Sequence, residues 1–368
     1  MFMHRIFEVR SHYQKIKEFV RKYERWLMPV TLVTGFLVDY ITFVNIQINT
    51  AIIILFVHFF TCAFAIAFIY AYDAGKISQR LRYLRLFAPL LVQFNFGGLL
   101  SNSFIFYWFS GSLWVSWPFI VVFVALMVGN DTLRHHYSKP TVQLSVYFFA
   151  TFTILSVSLP FIFNSLSSLW FILSSLLALA FIACYIWLLY KIAGKEKLNL
   201  RNLAISIFAI LFVTNLFYFA NLIPPVPLAM RETGVYHNVE RRGGQYILRG
   251  EREDFWEKLV PGKIIHLQQG QRAYVYSAIF APKELNTSIT HEWQYYDETQ
   301  GSWVVKDRLS FNLVGGRKGG FRGYSFKTTL ATGDWRVFIK TQRGQTLGRV
   351  KFEVERPTSA VELFEVVR

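Results

Sequence analysis

The stretch LAISIFAILFVTNLFYFANLI, residues 203–223, runs directly into Pro224-Pro225-Val226-Pro227. A helix needs about 20 mostly apolar residues to cross roughly 30 Å of hydrocarbon, and this run carries no charge. Three prolines in the next four positions cannot continue a helix and favour a stiff, extended exit. The chain changes character at this point. Residues 1–223 hold seven acidic groups among long apolar runs, whereas residues 224–368 hold 16 acids and 22 bases, the balance of an ordinary soluble domain. Over all 368 residues, 53% are apolar, 18% aromatic and 17% charged, against roughly 25% charged in soluble domains. That composition excludes disorder, collagen and a coiled coil. It predicts a membrane protein with a globular C-terminal part.

Working back from residue 203, six further stretches are long and apolar enough to span: Trp26–Ile46, Thr50–Tyr72, Phe87–Ser110, Leu113–Val128, Leu144–Phe161 and Ser168–Leu189. The expectation is therefore seven transmembrane helices over 26–223. Loop charge sets their orientation. The N-terminal segment 1–25 carries seven Lys and Arg, the second loop four, the fourth two and the sixth four, while the first, third and fifth carry none. A split of 17 to 0 in strict alternation puts the N-terminus in the cytoplasm and the C-terminal domain outside, in the periplasm or its equivalent. The first 25 residues read as a basic cytoplasmic segment without the features of a cleaved signal peptide.

The net charge of +16 is then mostly an orientation signal, and an extracytoplasmic domain argues against a nucleic-acid partner. Its excess of six positive charges suits an anionic glycan or lipid headgroup. Cys62 and Cys184 fall inside spans, so no disulfide is expected outside.

Asp39 and His58 are ionisable groups within the first and second spans, and such groups mark functional sites by default. Asn102 and Asn215 are expected at the same depth, toward the outer surface, while Gln93 and Asn95 lie deeper, beside Gly97-Gly98. Two readings stand. One is an outward-opening polar chamber with Asp39 as proton or cation acceptor and His58 as its partner. The other is interhelical hydrogen bonding with no transport role.

Beyond the prolines, 224–270 reads as an exit segment, a hairpin at Val235–Glu240 and Gln245–Gly250 around Gly243-Gly244, and a short helix at Asp254–Val260. Short strands then recur at 8–12-residue spacing: Tyr274–Phe280, Ser288–Tyr296, Ser302–Lys306, Arg308–Val314, Tyr324–Thr329, Trp335–Thr341 and Leu347–Glu355. That rhythm predicts an immunoglobulin-like antiparallel β-sandwich over 271–356, followed by a tail at 357–368. Alternation places Ile289, His291, Trp293 and Tyr295 on one face, with Trp335, Val337 and Ile339 inward.

The residues His291-Glu292-Trp293, Phe321-Arg322-Gly323-Tyr324-Ser325-Phe326-Lys327, Gly333-Asp334-Trp335-Arg336-Val337, Gly344 and Phe352 resemble a bacterial module, domain-of-unknown-function family 2914. The resemblance covers about residues 270–356. It implies an extracytoplasmic β module in a bacterial envelope protein, commonly preceded by membrane helices. It implies no activity, substrate or catalytic residue.

His291 shares a face with Trp293 and so reads as a hydrogen-bonded core residue rather than a site. His237, His266 and His291 are too scattered for a metal, no G-x-S-x-G elbow is present, and no cofactor motif stands out. Gly315-Gly316-Arg317-Lys318-Gly319-Gly320 joins two strands and reads as a basic hairpin tip rather than a nucleotide loop. Arg317, Lys318 and Arg322 are candidate contacts for an anionic surface, and Tyr295, Tyr296 and Trp303 for sugar rings. The leading expectation is a non-enzymatic envelope protein of the inner membrane, anchored in the bilayer, whose sandwich binds a glycan, an anionic lipid or a partner protein. The alternative is a transporter or integral-membrane enzyme built on Asp39 and His58.

Overall fold

A computed structural model of the chain describes residues 48–110, 113–132, 140–194, 198–226, 228–252, 262–281, 285, 287–313, 320–357 and 361–368, with isolated positions before residue 48. Within these, the first part is helical: α1 (Ile48–Asp73), α2 (Arg82–Ser110), α3 (Leu113–Thr132), α4 (Pro140–Ile162), α5 (Ser168–Ala193) and α6 (Leu200–Phe219). Among the described residues, five helices are long and apolar enough to cross a membrane, at Thr50–Asp73, Gln79–Trp108, Pro140–Ile162, Ser168–Ala193 and Leu200–Phe219. The expected fourth span falls on α3, whose described apolar stretch, Val115–Leu126, is shorter than a span. The expected first span, the helix expected at Asp254–Val260 and the Gly315–Gly319 tip lie outside the described residues.

The chain divides into two compact units, one of Met1–Phe106, Pro118–Leu159 and Ser167–Phe217, the other of Tyr107–Trp117, Pro160–Leu166 and Tyr218–Arg368. In the first, α4 is buried on all sides. Tyr147, Phe148, Ala150 and Phe152 have no exposed surface, and Phe59 stacks on Tyr147 with ring centroids 5.3 Å apart. Two tyrosine hydroxyls donate to α1 carbonyls, Tyr147 to Phe59 at 3.1 Å and Tyr185 to Ala63 at 2.6 Å. Elsewhere large apolar side chains face outward, with Phe64 75% and Phe212 69% exposed. Apolar surface on this scale suits lipid and would drive aggregation in water.

The second unit is built on three sheets, with strands β1 (Ala229–Tyr236), β2 (Asn238–Arg242), β3 (Gln245–Gly250), β4 (Lys263–His266), β5 (Ala273–Phe280), β6 (Thr287–Asp297), β7 (Ser302–Leu313), β8 (Phe321–Lys327), β9 (Gly333–Thr341), β10 (Thr346–Glu355) and β11 (Phe364–Val367). Their orders are β1-β5-β8, β4-β10-β9-β6-β7 and β11-β3-β2. One apolar cluster joins the first two sheets, through Val235 and Val275 on one side and Trp293, Trp335, Val337 and Phe352 on the other. A second cluster packs Tyr276 and Ala278 of β5 against Val239, Tyr246 and Leu248 of the third sheet. β5 is consequently buried on both faces. Within this same unit Arg343 hydrogen-bonds the Tyr218 hydroxyl and Gln345 donates to the Ile223 carbonyl at 3.2 Å.

Four features depart from the sequence reading. The strands expected at Ser302–Lys306 and Arg308–Val314 are one strand, β7. Trp293 pairs with Asp307 and Gln294 with Val305, so Lys306 is an extra residue, a bulge that restores the in-out phase where the sequence pattern breaks. The five-stranded sheet is not wholly antiparallel, because β4 runs parallel to β10 along Phe352–Glu355. The sheets also extend past 271–356, with β1 paired to β5 and β11 to β3. Finally, the strand expected at Val235–Glu240 divides at His237 between β1 and β2, while the Gly243-Gly244 turn has both glycines at positive φ, 57° and 85°.

Gly323 on β8 has a packing role. A Cβ there would lie 2.3 Å from the Phe311 ring of β7. Gly323→Ala is expected to cost about 1–3 kcal/mol through overpacking, read as a lowered melting temperature of the full chain in detergent.

Candidate binding face

Two polar networks lie on opposite faces of the five-stranded sheet. The inner one centres on His291, which has no exposed surface. Its Nε2 lies 3.0 Å from Ser277 Oγ and its Nδ1 2.8 Å from Ser325 Oγ, and Trp293 Nε1 donates to the same Ser325 Oγ at 3.0 Å. In the Nε2–H tautomer the donors run in one direction, from Trp293 to Ser325, from Ser325 to His291 and from His291 to Ser277. Burial holds the imidazole neutral, pushing its pKa down to about 3. Phe311 closes the site edge-on, 5.0 Å from the imidazole. A neutral ring sealed from solvent and saturated by hydroxyls serves packing. The same holds for Trp335, whose Nε1 donates to the Ala331 carbonyl at 2.9 Å.

The outer network begins with two groups that the burial pattern makes unusual, since Glu292 and Gln294 point away from the core yet are only 5% and 8% exposed. They are covered by their cross-strand neighbours. Glu292 accepts from Lys340 Nζ at 2.7 Å, Arg308 Nε at 2.9 Å and Gln294 Nε2 at 2.7 Å. Burial raises this carboxyl's pKa, but the bonds from Lys340 and Arg308 outweigh it and leave the group below its ordinary value. Gln294 passes the order along, its Oε1 accepting from Arg336 Nε at 2.7 Å. The Arg336 guanidinium in turn lies 4.1 Å from the Trp303 ring centroid and 5.0 Å from that of Phe338. Trp303 pairs with Tyr296 across β6 and β7, their rings 5.2 Å apart and tilted by 59°. The result is a half-buried corner of two aromatic rings and one guanidinium, fixed by cation–π contact and a directed hydrogen bond.

Of the remaining candidate contacts, Tyr295 lies on the inner face, 5.0 Å from Trp335, with its hydroxyl donating to the Thr332 carbonyl. It is separated from Tyr296 and Trp303 by the strand's alternation. Arg322 sits on β8, in the other sheet, and its carbonyl accepts from Tyr246. Arg317 and Lys318 lie outside the described residues.

Residues 286–354 match the family described as protein of unknown function DUF2914.

No curated protein matches the chain. Solved structures with some similarity include an immunoglobulin-like protein from Pseudomonas aeruginosa, 11% identical over 35% of this chain and 98% of that one, with a TM-score of 0.23. A β-glucosidase from Listeria innocua is 13% identical over 32% of this chain and 16% of its own, with a TM-score of 0.19. An alkylpurine DNA glycosylase from Pseudomonas fluorescens is 12% identical over 82% and 97%, with a TM-score of 0.21. Scores this low carry no argument about activity.

The DUF2914 segment contains both networks apart from Ser277. Within it the residues divide by face: His291, Trp293, Gly323, Ser325 and Trp335 build the core, whereas Glu292 and Arg336 build the outer corner.

A third cluster lies outside the DUF2914 segment. Glu251 accepts from His237 Nε2, His266 Nδ1 and the His266 backbone N–H, each at 2.7 Å. The fold thus brings together two histidines that are 29 positions apart in sequence. Burial raises the Glu251 carboxyl's pKa, and the hydrogen bonds from His266 and His237 more than offset it, leaving a carboxylate held below its usual range. Among the described residues no group of three or more His, Cys, Asp or Glu is arranged to hold a metal ion.

In the helices, His58 Nδ1 lies 3.0 Å from Asn95 Oδ1, and the imidazole packs on Gly98, where a Cβ would meet it at 2.8 Å. Asn215 donates to Ser175 Oγ at 3.4 Å and to the Leu211 carbonyl at 2.8 Å. Asn102 is fully buried, and neither amide atom has a hydrogen-bond partner among the described residues. Asp39 lies outside the described residues.

Proposed function

We propose that this chain is a multi-pass protein of a bacterial inner membrane that displays a β-sandwich on the outer side, where it binds a component of the cell envelope. Seven helices over 26–223 anchor it, the N-terminal 1–25 segment is cytoplasmic, and 224–270 leads to the module centred on 271–356, with 357–368 returning to pair with β3. Three things support the topology: the 17-to-0 charge alternation, the lipid-like exposure of Phe64 and Phe212, and the grouping of uncharged segments 107–117 and 160–166 with the strands in one compact unit. The shared apolar cluster of the first two sheets supports the sandwich.

The observation that carries the binding reading is the outer corner of Trp303, Tyr296 and Arg336, an ordered aromatic and cationic surface that the core does not need. The full chain in neutral-lipid nanodiscs is expected to capture an envelope glycan, an anionic lipid or an envelope protein from a fractionated envelope, less strongly as salt rises. A folded chain that captures no fraction at low salt overturns the reading.

A second reading, a transporter or integral-membrane enzyme using Asp39 and His58, is favoured by Asn102, a fully buried amide with no hydrogen-bond partner among the described residues, because leaving such a group unpaired costs about 1–3 kcal/mol. Asp39→Asn is the discriminating variant. Loss of cellular function with envelope capture retained would favour transport, and retention of both would favour display.

A further inference from the structure

The outer corner differs from a generally basic surface in how its one central cation is held. Gln294 engages only Nε of Arg336, and Trp303 and Phe338 contact the flat guanidinium. Among the described residues the two terminal nitrogens of Arg336 have no acceptor. They form a planar, two-pronged donor edge on a partly exposed side chain, and that edge matches a carboxylate. Burial and the positive charge of Arg349 disfavour the charged guanidinium by more than the nearby Glu292 carboxylate favours it, so an anion arriving there offsets a remaining electrostatic cost. Glu292 does not compete for it, being already saturated by Lys340, Arg308 and Gln294.

The aromatic neighbours define the rest of the ligand. Tyr296 and Trp303 meet at 59° beside the guanidinium, and a pyranose offers a face of weakly positive C–H groups that stacks on such π surfaces. A bilayer surface would be read by a cluster of four to eight exposed Lys and Arg. Here, among the described residues of the sheet, the exposed cations are only Arg308, already paired with Glu292, and Lys306, at the β7 bulge near the Tyr295 ring, while Arg336, Lys340, Arg349 and Lys351 are partly exposed.

We propose that the outer face of the β4-β10-β9-β6-β7 sheet is a binding site for a carboxylated saccharide, with a sugar ring stacked on Trp303 beside Tyr296 and a uronate carboxylate held by the terminal nitrogens of Arg336. Glu292 and Gln294 are positioning residues that fix Arg336 without touching the ligand. The site rests on the reading of the module as facing the envelope, and it narrows the partner to one chemistry.

The test is titration of the full chain in phosphatidylcholine nanodiscs with oligogalacturonate, cellohexaose and vesicles containing phosphatidylglycerol, followed by tryptophan fluorescence and calorimetry. Oligogalacturonate is expected to bind at least tenfold more tightly than cellohexaose. Arg336→Gln and Trp303→Ala should each lose at least tenfold, and Arg336→Lys should lose most of the affinity by keeping the charge without the fork. Arg272→Gln, at the residue just before β5 and over the Phe326 ring, should leave binding unchanged, and matched melting curves identify the variants that fold. Affinity for oligogalacturonate that survives both Arg336→Gln and Trp303→Ala overturns the proposal, as does binding of the anionic vesicles without the saccharide. If oligogalacturonate fails while envelope capture persists, this site is wrong and the broader display reading stands. If both fail, both fall.

Discussion

Replacing Ser325 by alanine is expected to destabilise the β module by about 2–5 kcal/mol, a larger loss than the removal of one hydroxyl suggests. Ser325 Oγ is the meeting point of Trp293 Nε1 and His291 Nδ1, both wholly buried. Without it two buried polar groups lose a partner at once, and each orphaned group costs about 1–3 kcal/mol. Thermal unfolding of the full chain in detergent, followed by near-ultraviolet circular dichroism, measures the loss. The Ser325→Cys variant, with a weak donor and acceptor in the same place, should fall between serine and alanine. A Ser325→Ala protein as stable as the parent would show that the network contributes little.

Acid should unfold the module through His291 before its carboxylates are protonated. The imidazole's pKa is about 3 in the folded protein, against 6.5 for the free side chain. A depressed folded value means that the unfolded chain takes up the proton first. The contribution is therefore complete above about pH 6.5 and is lost as the pH falls from there toward 3, at about 1.4 kcal/mol per unit. Glu251 and Glu292 act in a lower window, since their folded values lie below the ordinary 4.5, and their contribution is present above that value and lost beneath it. Between pH 6.5 and 4.5 the slope belongs chiefly to histidine. Comparison with His291→Asn isolates the residue, because the variant retains His237 and His266 but lacks the buried imidazole. Equal slopes in the two proteins would contradict the assignment.

The parts of this fold that are legible in sequence are those set by a local period. Apolar runs such as Thr50–Tyr72 and Ser168–Leu189 announce helices because a chain in hydrocarbon must satisfy its backbone internally. Alternation along Ile289, His291 and Trp293 reveals a core face before any neighbour is known. Features that depend on distant partners are silent. The sequence reading splits β7 at Asp307, whereas the pairing of Trp293 with Asp307 and of Gln294 with Val305 makes it one strand with Lys306 as an unpaired bulge. The parallel placement of β4 beside β10 and the return of β11 to β3 join segments with no periodic relation. The outer corner is legible in part. Tyr296 and Trp303 stand out as aromatic residues near a turn, but Arg336 is more than thirty residues away and resembles any surface arginine. Only register brings it opposite Gln294 and over Trp303. The basic hairpin tip is conspicuous in sequence for its composition, whereas nothing local marks Arg336, the cation that Gln294 and Trp303 hold.

The central claim is that an odd number of spans places the β module outside the cytoplasm. It is tested most directly in intact cells by fusing Arg368 to a reporter active only outside the cytoplasm and, separately, to one active only within it. The account predicts activity from the first fusion and silence from the second. Activity from the cytoplasmic reporter alone would contradict it, removing one span from the count and the module from any envelope ligand.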